Sequence, residues 1–194
     1  MTDKFILKLR SLPVDPLSSS TASVARELCQ YISYKRCAAV SAIQLSRPES
    51  MFAAVVPSNI TQVSSSVVGL AGDEDESKKV RIGVFLNPSI VEILSEEIFI
   101  GVESCLSFPG KKSIVARHAD IRVEYQILGS SDVYQADLHD DFAQVFQHEC
   151  DHTMGKTLED VELDEEDLQL LESSSEFDRN LLMKELETHE DYRF

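Results

Sequence analysis

Three features are scarce in this sequence: long apolar runs, basic residues and closely spaced cysteines. No stretch approaches 18 consecutive apolar residues, so we expect no membrane-spanning segment. Lys and Arg number 18 against 34 Asp and Glu, giving a formal charge of -16. That balance argues against a nonspecific nucleic-acid binder, because phosphate binding needs clustered cations. Four cysteines at wide, irregular spacings do not make the framework of a secreted disulfide-rich protein.

The first ten residues also lack the features of a targeting signal. They hold three basic residues, one Asp and a short, broken apolar run. A secretory signal needs a continuous apolar stretch and a small-residue cleavage site, and a transit peptide is Arg-rich and poor in acids. We therefore expect a reducing interior compartment.

The chain has enough apolar residues for one ordinary domain and carries its acidic residues unevenly. Of its 194 residues, 43% are apolar. Residues 156–194 hold 14 acidic and 4 basic residues, a net charge of -10. We expect one folded domain over residues 1–160 and an acidic C-terminal helical extension over residues 161–194.

The hydrophobic pattern predicts an α+β domain whose strands follow one another in hairpin order. Strands are predicted over 52–56, over 80–86 with a stop at Asn87-Pro88, within 90–100, and over 121–128 paired with 133–138. The segment 57–79, rich in Ser, Gly and acids, is predicted to be a loop. Helices are predicted over 22–35, capped by Ser20 or Thr21; from an Asp140 or Asp141 cap to about 153, with Gly155 as the stop; and near 164–173 and 176–190.

The strongest chemical signal is the sequence HECDH at positions 148–152. On a helix, His148 and His152 project from the same face one turn apart and can hold one metal ion. Glu149 lies beside them, where it can take a proton from water. A chance match on an exposed helix is the alternative. Phe142 and Phe146 just upstream favour a buried helix, in which unpaired His and Glu would be costly.

Two histidines leave a metal site short of a third protein ligand. The residues themselves leave several candidates open, namely Cys105, Cys29, Cys37, His118, His139 and the acids that follow the motif. Cys105 stands in ESCLSFP at 103–109, where a proline breaks the regular pattern. A lone cysteine is more commonly a small buried apolar residue.

Three segments together resemble the motifs of peptide deformylases. CAAVSAIQ at 37–44 resembles the first motif, ESCLS at 103–107 the second, and QHECDH at 147–152 with Gly155 the third. Their order and spacing agree with that family over roughly residues 5–160. Three motifs in order are far more specific than HExxH alone.

The resemblance implies a peptide-deformylase-like α+β fold, with antiparallel sheets around a central HExxH helix. It implies a metal-dependent hydrolase that removes the formyl group from N-formylmethionine of nascent peptides. It assigns Cys105, His148 and His152 as ligands of one divalent metal, Fe²⁺ with Zn²⁺, Ni²⁺ or Co²⁺ as substitutes. It gives Glu149 the role of the base, the Gln44 amide and the Leu106 backbone N–H the role of oxyanion donors, and pairs Arg117 with Glu103.

The sequence departs from the family at small residues near the expected peptide groove. Family glycines are replaced by Cys37, Ala39 and Ser104, and the family alanine at position 41 is Ser41. Added side chains can narrow a groove in which an extended peptide lies. Three hypotheses follow: an active deformylase, a deformylase-like metal-binding protein with weak or no activity, and a zinc-dependent peptidase. The ligands, Glu149 and Gln44 are retained, which favours the first.

A formylated substrate places the expected function beside bacterial-type translation. The divergent motifs favour a mitochondrion over bacterial cytoplasm. Some deformylases carry a basic C-terminal helix that meets ribosomal RNA, whereas residues 156–194 are acidic here. We therefore expect N-formylmethionyl peptides as the partner, ribosome proximity without RNA binding by the tail, and no membrane association.

Overall fold

The computed structural model of the chain describes residues 3–60, 63–69 and 79–172, together with positions 182, 184 and 186. Its helices are α1 (Lys4–Leu7), α2 (Ser19–Lys35), α3 (Asp140–Thr153), α4 (Leu158–Val161) and α5 (Glu165–Glu172). Its strands are β1 (Ala39–Ser41), β2 (Met51–Val55), β3 (Ser64–Gly69), β4 (Lys79–Ile93), β5 (Ile98–Ser104), β6 (Lys112–His118), β7 (Asp120–Gln126) and β8 (Val133–His139). A short 3₁₀ turn, Ala42–Leu45, follows β1.

The strands form a six-stranded antiparallel sheet and a separate two-stranded one, which confirms the α+β prediction. The large sheet has the order β1-β2-β4-β7-β8, and β3 pairs with the first part of β4. The small sheet is the β5–β6 hairpin. Consecutive strands joined by hairpins account for β5–β6 and β7–β8, where short turns make antiparallel neighbours.

Each face of the large sheet is covered by one helix. Along β2, Phe52 and Ala54 pack with residues of α3, whereas Met51 and Ala53 pack with residues of α2. This alternation follows from the two-residue period of a strand. The α3 side contains an aromatic cluster in which the Phe146 ring meets Phe52 edge-on, with centroids 5.0 Å apart. The buried face of α3 therefore fixes the helix that carries the HExxH motif.

The strand β4 is longer than predicted because it does not stop at Asn87-Pro88. It runs from Lys79 to Ile93, and its pairing with β7 shifts register between Leu86 and Ser89. Asn87 has a φ of 49°, and its side chain bonds both the N–H and the C=O of Val14. A bulge of this kind is where a strand tolerates proline.

The predicted loop over 57–79 is also only partly correct. Ser64–Gly69 forms β3, which pairs with β4, while residues 61–62 and 70–78 lie outside the described part of the chain. A Ser-rich segment carries little alternation of apolar and polar residues, so it has no strand signal of its own. The partner strand supplies the hydrogen bonds that the local sequence does not predict.

The helix limits are close to those predicted, but the caps differ. Helix α2 begins at Ser19, and Ser18 caps it by accepting from the Ser20 N–H. Helix α3 has His139 as its N-cap residue without a side-chain bond, so neither Asp140 nor Asp141 is the cap. The two aspartates lie instead in the first turn, where negative charge favours the helix dipole. Gly155 has a φ of 77° and ends the helix as predicted.

Part of the C-terminal extension packs on the small sheet. Helix α5 corresponds to the helix predicted near 164–173. Of the helix predicted near 176–190, positions 182, 184 and 186 are described and are helical, and the rest lies outside the described residues. Leu182 and Leu186 pack with Val102 and Ile114, so an apolar side of this segment lies against the domain.

Candidate metal centre

Helix α3 brings two imidazoles to one face at the edge of the small sheet. The rings of His148 and His152 are 5.0 Å apart, as expected for side chains one helical turn apart. The Cys105 Sγ lies 3.3 Å from Nε2 of His152. One ligand atom from each of Cys105, His148 and His152 lies within 4.8 Å of the others. In the described part of the chain this is the one such group of three.

Cys105 reaches the histidines because the chain turns directly after β5. The turn is closed by the Phe108 N–H, which donates to the Cys105 C=O at 2.9 Å. Cys105 is buried in a cluster with Leu7, Ile43 and Leu158, which come from three different parts of the chain. The thiol is therefore held at the site by packing on several sides.

A buried ion-pair network fixes the orientation of His148. Glu103 Oε2 lies 2.8 Å from Nδ1 of His148, which leaves Nε2 directed toward the site. Glu103 also accepts two hydrogen bonds from Arg117, at 3.0 Å each, so the predicted Arg117–Glu103 pair is present. Arg117 donates a third bond to Asp151 at 2.5 Å. Such outer partners set the tautomer and orientation of histidine ligands.

The charges of this network favour a cation at the three side chains. Burial alone raises the pKa of Glu103, but His148 and Arg117 outweigh it and lower the pKa to about 2. Burial, followed by the neighbouring charge on His148, lowers the pKa of His152 to about 3. Burial lowers the pKa of His148, yet its hydrogen bonds with Cys105 and Glu103 raise it well above the usual value. One imidazole is thus neutral, and positive charge is stabilised beside the thiol.

A soft sulfur donor and two imidazole nitrogens form a donor set that suits transition metals. The His152 ring has the backbone of Lys156 as a hydrogen-bond neighbour. Its Nε2 is the atom that faces Cys105. The three residues therefore fit a divalent metal ion on the chemistry of their atoms.

Glu149 points toward β1 and is held there by one hydroxyl. Its side chain is buried, and burial raises the pKa of its carboxyl above the usual value. The Ser41 hydroxyl donates to Oε2 of Glu149 at 2.5 Å. A buried carboxyl with a raised pKa is suited to taking and returning a proton near neutral pH.

Gln44 lies against the same site from the 3₁₀ turn. Its Oε1 accepts from the Ser41 N–H at 2.8 Å, and its Nε2 donates to the Cys105 Sγ at 3.4 Å and to the Ser107 hydroxyl at 3.1 Å. Leu106 follows Cys105 directly, and its side chain is 40% exposed. The backbone order thus brings both predicted oxyanion donors beside the thiol.

The other residues left open as ligands are held elsewhere. Cys37 is buried with the α2 side of the core, where burial and the charge of Glu149 raise its pKa to about 12. Cys29 packs in the same cluster. The backbone of His118 is bound at both its N–H and its C=O by the Gln147 side chain, and His139 pairs with Asp120 at 2.6 Å. None of these joins the group of three.

Sequence reasoning missed two residues that contact the site. Asp151 shares Arg117 with Glu103, and Ser41 bonds Glu149. Asp151 carried a usable signal, since it stands one turn before Gly155 inside the motif and three residues after His148. The only signal at Ser41 was its departure from the alanine of the first deformylase motif. Its partner, Glu149, lies 108 residues away in sequence.

A thiol, two imidazoles and a buried carboxyl in this arrangement define the centre of a metal-dependent hydrolase. The family model described as polypeptide deformylase matches residues 1–166. A peptide deformylase of Afipia carboxidovorans is 30% identical over 149 residues, which cover 77% of this chain and 76% of the relative. The chain belongs to the polypeptide deformylase family.

Solved structures share the fold. A Plasmodium falciparum peptide deformylase has a TM-score of 0.65 at 23% identity, covering 96% of this chain and 95% of that one. A Met-Ala-Ser-bound class I type b peptide deformylase from Acinetobacter baumannii has a TM-score of 0.64 at 23% identity, covering 80% and 91%. None of the described helices is long and apolar enough to cross a membrane.

Two of the three residues that replace family glycines lie in the core. Cys37 packs with the α2 side of the large sheet, and Ala39 with the α3 side. Ser104, at the end of β5, is half-buried. The core accommodates the side chains of Cys37 and Ala39. Their packing therefore gives no support to the expectation that these two residues narrow the peptide groove.

Proposed function

We propose that this chain is an active deformylase that removes the formyl group from N-formylmethionine at the start of nascent peptides. One observation carries the proposal: Cys105, His148 and His152 converge on one point in a buried network, with Glu149 on the same helix. In this proposal residues 1–160 form the catalytic domain and residues 161–194 an acidic extension. Cys105, His148 and His152 hold one divalent metal ion.

The metal, when bound, supplies Lewis acidity that makes water a better nucleophile and polarises the formyl oxygen. Glu149 accepts the proton of the attacking water and passes it to the departing amine. The Gln44 Nε2 and the Leu106 N–H donate to the oxygen on which negative charge develops. Gln44 already has its amide oriented by the Ser41 N–H, so its donor needs little rearrangement.

The identity of the metal is proposed as Fe²⁺, with Zn²⁺, Ni²⁺ or Co²⁺ able to replace it. Support comes from the family membership and from the donor set of one thiolate and two imidazoles, which accepts all four. The His148–Glu103–Arg117 network supports tight binding of any of them, because it fixes one ligand before the metal arrives.

The proposed location follows from the substrate. Formylated chains are made where translation is of the bacterial type, which means bacterial cytoplasm or an organelle such as the mitochondrion. The Afipia carboxidovorans relative reported above is bacterial. The divergent motif residues Cys37, Ala39 and Ser104 are the reason that we favour the organelle.

The test is an assay of formate release from formyl-Met-Ala-Ser by protein loaded anaerobically with Fe²⁺ or Co²⁺. We expect turnover that requires the metal and is lost on chelation. Absence of turnover by folded, metal-replete protein would support the metal-binding hypothesis instead. Cleavage of the unformylated peptide Met-Ala-Ser, without formate release, would support the peptidase.

A further inference from the structure

The Ser41 hydroxyl connects two parts of the site that lie far apart in sequence. It donates to Oε2 of Glu149 at 2.5 Å and lies 3.2 Å from the Glu149 backbone C=O. Ser41 is fully buried, with 0% exposure, and Glu149 is 4% exposed. Among the described residues, Ser41 is the only hydrogen-bond partner of this carboxyl.

This contact leaves the two carboxyl oxygens in different situations. Oε2 is held by β1, whereas Oε1 is not engaged by any described residue. A short hydrogen bond to one oxygen restricts the rotation of the carboxyl group, because burial makes the loss of this donor costly. The carboxyl group therefore keeps one orientation, and Oε1 points in one fixed direction.

The backbone of Ser41 orients a second group. Its N–H donates to Oε1 of Gln44 at 2.8 Å, which turns the Gln44 Nε2 toward Cys105. One residue thus aligns the carboxyl through its side chain and the carboxamide through its backbone. Preorganised groups of this kind matter because misplacement of about 1 Å can cost about 100-fold in rate.

We propose that Ser41 is a positioning residue for the reaction, which holds the Glu149 carboxyl in its working orientation. The inference rests on the proposed deformylase function. It concerns the hydroxyl. Alanine at this position keeps the N–H that orients the Gln44 side chain and removes both the donor to Glu149 and the acceptor for the Gln44 backbone N–H, so the crystal structures described below must also show the Gln44 side chain unmoved.

The test compares Ser41→Ala with wild type and with Ser11→Ala as a matched control. Ser11 also has a buried hydroxyl, and that hydroxyl has no hydrogen-bond partner among the described residues. We expect Ser41→Ala to lower kcat about 10-fold, with KM and bound metal per chain within about twofold of wild type. Ser11→Ala should leave all three values unchanged.

An unchanged or higher kcat for Ser41→Ala would overturn the proposal, as would an equal loss in Ser11→Ala. A rise in KM or a loss of metal that accounts for the lower rate would assign Ser41 a merely structural role.

A second measurement is independent of turnover and separates this inference from the proposed function. Crystal structures of the metal-loaded wild type and Ser41→Ala should show the carboxyl of Glu149 on Ser41 in the first and rotated in the second, with Cys105, His148 and His152 unmoved. If wild type is inactive but shows this difference, the deformylase function fails while the positioning contact stands. A carboxyl that ignores Ser41 in the wild type would overturn the inference.

Discussion

Glu149 has the burial and the neighbours of a proton acceptor, and its carboxyl can be exchanged for an amide of the same shape. Burial raises its pKa, so the proton it accepts is held and can be returned. We expect Glu149→Gln to lower kcat by about 10²–10⁴-fold, the usual contribution of a positioned base. Bound metal, measured by elemental analysis, should stay at the wild-type level, because the amide side chain would still fill the space. Loss of metal together with activity would mean that Glu149 acts in binding.

Arg117 holds the carboxylates that surround the proposed metal ligands. It forms ion pairs with two buried carboxylates, Glu103 and Asp151. We expect Arg117→Met to destabilise the fold by about 3–5 kcal/mol, since Asp151 would remain buried without a counter-charge and Glu103 would keep only His148. Metal affinity should fall about 10–100-fold, because Glu103 would no longer be fixed beside His148. Urea unfolding and metal titration measure the two effects.

Arg122 provides a matched control for Arg117. It also contacts two carboxylates, Glu92 at 2.6 Å and Asp137 at 2.7 Å, but at the surface. Water can solvate the carboxylates that Arg122→Met would leave behind, so we expect a much smaller loss of stability and no change in metal affinity. Equal losses in the two variants would show that burial does not decide the strength of the Arg117 network.

At this scale the sequence could predict the chemistry but not its supporting contacts. His148 and His152 are four residues apart on a helix, so local geometry alone puts them on one face. The resemblance, and not spacing, assigned Cys105, because nothing local relates it to a helix 43 residues later. The Ser41 and Asp151 contacts depend on how strands and helix pack, and although the position of Asp151 inside the motif was a signal, neither residue's type identifies its partner.

Among the elements, the stability of helix α3 depends on the residue that ends it, Gly155. Gly155 has a φ of 77°, and a Cβ built there would lie 2.6 Å from the Lys8 backbone oxygen. Gly129 has a φ of 83°, but a Cβ there would meet nothing within 4 Å. We expect Gly129→Ala to cost about 1–2 kcal/mol from backbone strain alone, and Gly155→Ala to cost clearly more. Urea unfolding of both variants compares the costs, and equal values would exclude a role for the Lys8 contact.

The elements that sequence reasoning placed well are those with a strong apolar period. Helix α3 and the β7–β8 hairpin match the predicted ranges closely, because their buried positions recur regularly. The errors fall on β1 and β6, for which no strand was predicted, on β3 and on the middle of β4, where structure depends on pairing between strands. Asn87-Pro88 is a stop by local rules, and its bulge is stabilised by Val14, a residue 73 positions earlier.

For the whole molecule, charge determines what the extension can bind. Residues 156–194 carry a net charge of -10, and three lysines of the domain are already paired with acids at or next to α4. Lys4 lies 3.5 Å from Glu159, Lys8 2.5 Å from Asp160, and Lys111 3.0 Å from Glu162. Helix α5 presents Glu165, Glu166 and Glu172 to solvent. This surface lacks the cations whose contacts with phosphates would release counterions. It therefore repels nucleic-acid phosphates.

We therefore expect the full chain to cosediment only weakly with ribosomes, and the bound fraction to change little between 50 and 200 mM salt. A charge-reversed variant, with Glu165, Glu166 and Glu172 changed to Lys, is the matched comparison, because all three side chains are exposed on α5 and their replacement leaves the core intact. The variant should bind more tightly at 50 mM salt and lose that binding at 200 mM, since the new contacts would be electrostatic. Tight, salt-sensitive binding by the wild type would contradict the prediction, because it would require a cationic surface elsewhere on a chain whose net charge is -16.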